Sequence, residues 1–197
     1  MTRRALLAAL LILASWSAPA NSLTASSDER QRLDRGEVVF VDRLPRGGRG
    51  EPGQGGTAMA LVHASPDAVW RVLTDYPRHP GVYPRVVSAE VLESDAQRAV
   101  VRYVIGVGPF SFGFHVENHP DRARRRLTWR LDHARPNNLF RDSWGYWEIE
   151  PDGRGVVLTY AMAASTVLPA FLTRGSERDG LVATLKAVRD RAEQAPY

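Results

Sequence analysis

Five histidines, at 63, 79, 115, 119 and 133, are the side chains of this 197-residue chain best suited to metal ligation or proton transfer. No two of them have the i, i+4 spacing on a helix by which paired imidazoles share a zinc ion. His115 and His119 are four apart, but their segment reads as a strand end followed by a turn. Strand geometry sets both on the outer face, because Phe114 and Val116 point the other way. The chain has no cysteine, which excludes thiol nucleophiles and cysteine-held zinc or iron–sulfur centres. It also lacks a G-x-S-x-G elbow, so serine-hydrolase chemistry is unsupported. Gly48, Gly50 and Gly53 do satisfy G-x-G-x-x-G, but Pro52 interrupts them and the strand-like TAMALVHA follows. A dinucleotide site needs a helix there, whose N-terminus meets the pyrophosphate. The residues therefore assign no catalytic group, no metal and no cofactor.

Binding chemistry is better represented. Phe112, Phe114, Trp129 and Trp147 fall on the apolar faces of alternating segments, with Tyr103 and Tyr160 on the same side. Each such aromatic buries ~150–250 Å² whether it fills a dry core or lines a pocket. Asp132 to Gly145, DHARPNNLFRDSWG, is the most polar stretch between two strands, and most of it reads as a hairpin loop. Arg141 stands apart. Alternation with Trp147 and Ile149 places positions 141, 143 and 145 inward, and a buried arginine needs an anionic or carbonyl partner.

These side chains need elements to hold them. In HASPDAVWRVLTDYPRHPGVYPRV, Ser65-Pro66 reads as an N-cap with a first-turn proline, and Asp67 suits the positive helix end. Val69, Trp70, Val72 and Leu73 give a short apolar face. Pro77 then closes the helix, leaving a second short helix or wrapped loop that carries Tyr76, Pro80, Val82 and Tyr83 as a rim. GEVVFVD is a short strand. From residue 88 onward, six segments alternate with period two, the mark of half-buried antiparallel strands. After Pro169 the period becomes helical, with Leu181, Leu185, Val188 and Ala192 on one stripe. This predicts an α+β fold: a curved antiparallel sheet of about six to seven strands wrapped on a long C-terminal helix, with two short helices closing one end. A strongly curved sheet stands away from a straight helix, so a cavity is expected between them.

Outside this domain, Arg3 and Arg4 precede the apolar run Ala5 to Leu13, and Ala18-Pro19-Ala20 supplies a small-residue cleavage site. Residues 1–20 thus read as a signal peptide cleaved near Ala20, which implies a periplasmic or secreted mature protein. Residues 21–35 read as a flexible segment with helical character around Glu29–Leu33, and 36–195 as the domain. The Gly-rich stretch 47–56 reads as a surface loop that is dispensable for folding. Losing residues 1–20 lowers the net charge from +4 to +2, with acids interleaved throughout, so no nucleic-acid partner is expected.

The order of elements, with these residues, resembles the START-like (SRPBCC) superfamily and its helix-grip fold, most nearly the polyketide cyclase/dehydrase and coenzyme Q-binding branch. The likeness rests on HASPDAVWRVLTDYPRHPGVYPRV, on GYWEIEPDGRGVVLTY with its Gly-x-Trp strand, and on Pro169 with the final helix. It covers roughly Gly36 to Gln194 and departs at the 47–56 insertion. The resemblance implies a protein that encloses a hydrophobic or amphipathic small molecule: a lipid, a quinone or a polyketide-like compound. The expected cavity residues are Tyr83, Tyr103, Ile105, Phe112, Phe114, Trp129, Arg141, Trp147, Tyr160, Met162 and Phe171. Transient membrane contact is a further expectation. The alternatives are a cyclase or dehydratase acting on a polyketide-like or aromatic substrate in that cavity, and an interaction module whose cavity has closed. Nothing in the sequence sets the oligomeric state.

Overall fold

The computed structural model describes residues 25–49, 53–167 and 176–194. One antiparallel sheet of eight strands runs in the order β1-β2-β8-β7-β6-β5-β4-β3. Its strands are β1 (Val39–Val41), β2 (Gln54–Val62), β3 (Val86–Ser94), β4 (Ala99–Val107), β5 (Phe110–Asp121), β6 (Arg126–Leu131), β7 (Phe140–Asp152) and β8 (Gly155–Thr166). The helices are α1 (Ser27–Asp34), α2 (Pro66–Thr74) and the C-terminal α3 (Ser176–Glu193), with a 3₁₀ turn over Tyr76–Gly81. This is the expected α+β helix-grip architecture. The sheet is slightly larger than the six or seven strands expected, because two strands precede α2. Among the described residues no helix is long and apolar enough to cross a membrane.

The helices form where local chemistry dictates. Ser65 caps α2 by accepting from the Ala68 amide, and Pro66 occupies its first turn. Its apolar face, Val69, Trp70 and Leu73, is buried with Leu181, Leu185 and Val188 of α3 in one cluster with the inner face of the sheet. α1 spans the stretch around Glu29–Leu33 where helical character is expected. Ser26 and Glu29 form a reciprocal capping box, and Leu33, 1 % exposed, packs on Val39, Met59, Leu61 and Val157. β2 is therefore covered on both faces: Ala58, Ala60 and Val62 face α3 while Met59 and Leu61 face α1. That double burial is why TAMALV shows no polar alternation.

The Gly-rich stretch differs from its expectation. Gln54, Gly55 and Gly56 belong to β2, and Gly47, Gly48 and Gly53 lie against the indole of Trp144, which is 7 % exposed. Trp144 Nε1 donates to the Pro45 carbonyl at 2.9 Å, and the Asp142 carboxylate accepts from the Arg49 amide at 3.0 Å. A Cβ on Gly48 would sit 2.4 Å from the Trp144 ring, so only glycine lets the backbone lie flat there. These described glycines thus cover an outward-facing tryptophan. Gly48→Ala should cost ~1–3 kcal/mol in a urea unfolding series, the usual penalty for overpacking. Gly153→Ala, where an added Cβ meets nothing within 4 Å, is the matched control and should cost far less. Equal midpoints for the two variants would show that the stretch is the free loop its composition suggests.

Candidate ligand-binding cavity

Leu181, Leu185, Val188 and Ala192 seat α3 in the inner-face cluster with β2 and β8 residues, and each is at most 1 % exposed. The N-terminal part of the helix stands off the rest of the sheet. Gly180, Leu181 and Thr184 form one wall of a cavity of about 880 Å³, whose other walls are inner faces of β3 to β8. Bulges between Val86 and Ser88, and between Phe140 and Asp142, locally bend the strands that bound it.

The cavity is lined by a continuous run of aromatic contacts. Phe140 meets Phe114 edge-on at 4.9 Å, and Phe114 stacks on Tyr103 at 5.7 Å. Tyr103 stacks on His79 at 5.9 Å, and His79 meets Tyr83 at 4.1 Å. Tyr83 faces Trp147 at 6.3 Å, and Trp147 lies flat on Tyr160 at 3.9 Å. Trp129 joins this surface through Gly145. A Cβ there would strike Trp129 at 2.7 Å and the Ala161 carbonyl at 2.3 Å, which explains the glycine two residues before Trp147.

Of the residues expected from sequence, Tyr83, Tyr103, Ile105, Phe114, Trp129, Trp147, Tyr160 and Met162 line the cavity. Phe112 shares their strand face but is half-buried nearer the hairpin tip, outside the lining. Phe171 falls outside the described residues, as does the segment 1–20. Arg141 is exposed, because the bulge at Phe140/Asp142 breaks the inward alternation, turning Phe140 in and leaving the arginine at the mouth. It therefore needs no buried partner. Tyr76, expected in the rim, is buried among Val101, Tyr103 and Val116. The polar residues of the 132–142 stretch mostly bond to one another: His133 to Asp142, Arg135 to Asp132, and Asn137 to the backbone of Asp132 and Arg135. His115 and His119 do face outward, against the Pro136 carbonyl and Glu117.

His79 was not singled out by sequence. It is 2 % exposed, and its Nδ1 lies 2.8 Å from the Tyr103 hydroxyl. Burial pushes its pKa down to about 4, against a weaker upward pull from the carbonyls of Val72 and Leu73 and from Asp75. Burial raises the hydroxyls of Tyr83, Tyr103 and Tyr160 above their ordinary range and takes Tyr76 to about 12, so all four stay protonated at neutral pH. The recurrence of Tyr76, His79 and Tyr83 at helical spacing was the available signal, and the intervening prolines masked it.

Residues 62–189 match the family model described as polyketide cyclase / dehydrase and lipid transport, and the chain belongs to that family. Among solved structures, the STAR-related lipid transfer protein (fragment 25–204) of Xanthomonas axonopodis is similar at 20% identity and a TM-score of 0.64, over 80% of this chain and 99% of that one. The Zhui aromatase/cyclase of Streptomyces sp. R1128 is similar at 21% identity and a TM-score of 0.60, over 73% and 95%. A START superfamily protein of Mycobacterium smegmatis is similar at 16% identity and a TM-score of 0.60, over 70% and 96%. At these identities the likeness shows the fold, the helix-grip arrangement described above. No curated protein matches the sequence.

Two predictions follow from this geometry. Folding favours neutral His79, so its contribution is complete above about pH 6.5 and declines as pH falls toward 4. The loss across that window is on the order of 3 kcal/mol. Unfolding free energies at pH 7 and pH 4 should therefore differ by less in His79→Gln than in the parent, and an unchanged difference would show that the imidazole is not so buried. Separately, Trp70→Ala should cost ~3–5 kcal/mol as a buried aromatic, while half-buried Tyr83→Ala costs much less. Comparable losses in chemical denaturation would make Tyr83 part of the core rather than of the rim.

Proposed function

We propose that this protein is an exported carrier that encloses an apolar or amphipathic small molecule between its sheet and α3. The observation that carries the reading is the cavity itself: about 880 Å³, walled by six consecutive aromatic contacts and entered past Tyr83, Pro84 and Arg85. A concave, mostly apolar space with a few placed polar groups is the usual form of a small-molecule site. The names of the family and of its structural neighbours, lipid transfer and aromatase/cyclase, support an occupant of that character. Export rests on Arg3-Arg4, the apolar run and Ala18-Pro19-Ala20.

Titration with the apolar dye N-phenyl-1-naphthylamine should give saturable fluorescence enhancement. Tyr83→Ala should weaken binding or speed exchange without unfolding the protein. Absence of any saturable signal in the parent would defeat the carrier reading. Export is checked by the intact mass of protein recovered outside the cytoplasm: a chain beginning at or near Asn21 is expected, and one beginning at Met1 would contradict it.

A further inference from the structure

Strand register brings the starts of β3, β5 and β7 and the ends of β4 and β8 to one end of the sheet. α2, tied through Asp67 to Arg122 in the turn after β5, lies at the other end. The open end carries the three most exposed large apolar side chains among the described residues: Phe110 at 64 %, Val87 at 59 % and Val167 at 50 %. Single apolar groups scattered on a surface need no explanation, but three gathered at one end form a patch.

The β4–β5 hairpin shapes this end. Gly108, at φ 59°, and Pro109 close it in a two-residue turn, so that Val107 pairs directly with Phe110. From Tyr103 to Phe114 the hairpin holds no charged residue. Val87 lies alongside, its Cγ1 3.8 Å from where a Cβ on Gly106 would stand. The Arg85 carbonyl accepts from the Gly106 amide at 2.8 Å, and Arg85 holds a φ of 69° that residues other than glycine rarely adopt. Arg85 and Val107 line the cavity mouth, as do Arg141 and Val167 on the β7–β8 side. Among the described residues neither guanidinium takes part in an ion pair, and the single acid of the cavity lining is Glu177 of α3.

We propose that this end is a docking face for an anionic lipid surface, with Phe110 and Val87 entering the acyl boundary and Arg85 and Arg141 meeting headgroup phosphates. Apolar side chains at a tip with unpaired cations behind them complement such a surface, and each arginine near it is worth about fivefold in binding. A narrow hairpin tip suits insertion among lipids better than a stable protein interface, which buries ~1,200–2,000 Å². The inference goes beyond the carrier reading and stands on separate observations. With both, an apolar cargo passes from bilayer to cavity without crossing water.

The chain has no cysteine, so a single introduced thiol places a label at one point. Ser111→Cys, exposed beside Phe110, and Gly153→Cys, exposed in the β7–β8 turn at the far end, are each labelled with the polarity-sensitive dye NBD. Vesicles of phosphatidylcholine mixed with phosphatidylglycerol should brighten and blue-shift the Ser111 label and leave the Gly153 label unchanged. Phe110→Ser should weaken that response roughly tenfold or more, the worth of withdrawing one buried phenylalanine. Arg85→Gln combined with Arg141→Gln should remove the preference for mixed vesicles over phosphatidylcholine alone. All of these positions are exposed, so the fold is not at stake.

A silent Ser111 label, an equal response at Gly153, a response that survives Phe110→Ser, or a lipid preference unchanged in the arginine variant would overturn the docking face. Brightening at Ser111 that grows with protein concentration in the absence of vesicles would assign the tip to contact between copies of the chain and overturn it as well. Binding of N-phenyl-1-naphthylamine, measured without vesicles, separates the two readings. Bound dye with a silent label keeps the carrier and removes the docking face, and docking without bound dye does the reverse.

Discussion

A straight helix can follow a curved sheet over only part of its width, and the rest of this protein depends on where that contact is made. Leu181, Leu185, Val188 and Ala192 fix it against β2 and β8, where small residues such as Ala58 and Ala60 allow close approach. Across β3 to β7 the sheet departs from the helix, and large rings occupy the interval without filling it. Core and cavity are therefore two ends of one packing arrangement. α2 locks the arrangement by burying Trp70 and Leu73 in the same cluster.

The proline-interrupted stretch after α2 joins that frame to the site. Because Pro77 stops the helix, the chain turns through Tyr76–Gly81 and delivers Tyr76 to the core and His79 to the cavity wall, with Tyr83 following at the rim. A buried, neutral imidazole there faces the Tyr103 hydroxyl at 2.8 Å. It carries no charge into an apolar space. The salt-bridge network of the outer face, in which Glu117 takes both Arg98 and Arg130, keeps charge away from that interior.

Much of the architecture was legible because two periods were clean. Tyr103, Phe114, Trp129 and Trp147 alternate with polar neighbours, and the α3 stripe repeats at three and four residues. Legibility failed where a local event broke a period. One bulge at Phe140/Asp142 exchanged Phe140 for Arg141 on the inner face, and nothing in the alternation of β7 forecasts an inserted residue. β2 gave no alternation because α1 covers its outer face, and α1 itself was hidden in a polar segment whose one buried anchor is Leu33. The Gly-rich stretch read as a free loop because its partner, Trp144, lies about a hundred residues away and is visible only in three dimensions. His79 was hidden by chemistry: a histidine among prolines resembles a surface turn until its burial is seen.

The central claim is that the space beneath α3 is occupied in use. Native mass spectrometry of the protein gently extracted from its own host tests it most directly. A bound small molecule, lost on denaturation and absent from a variant with the cavity filled by Ala164→Trp, is the predicted result. A uniformly ligand-free mass, unchanged after incubation with apolar and amphipathic compounds, would contradict the account.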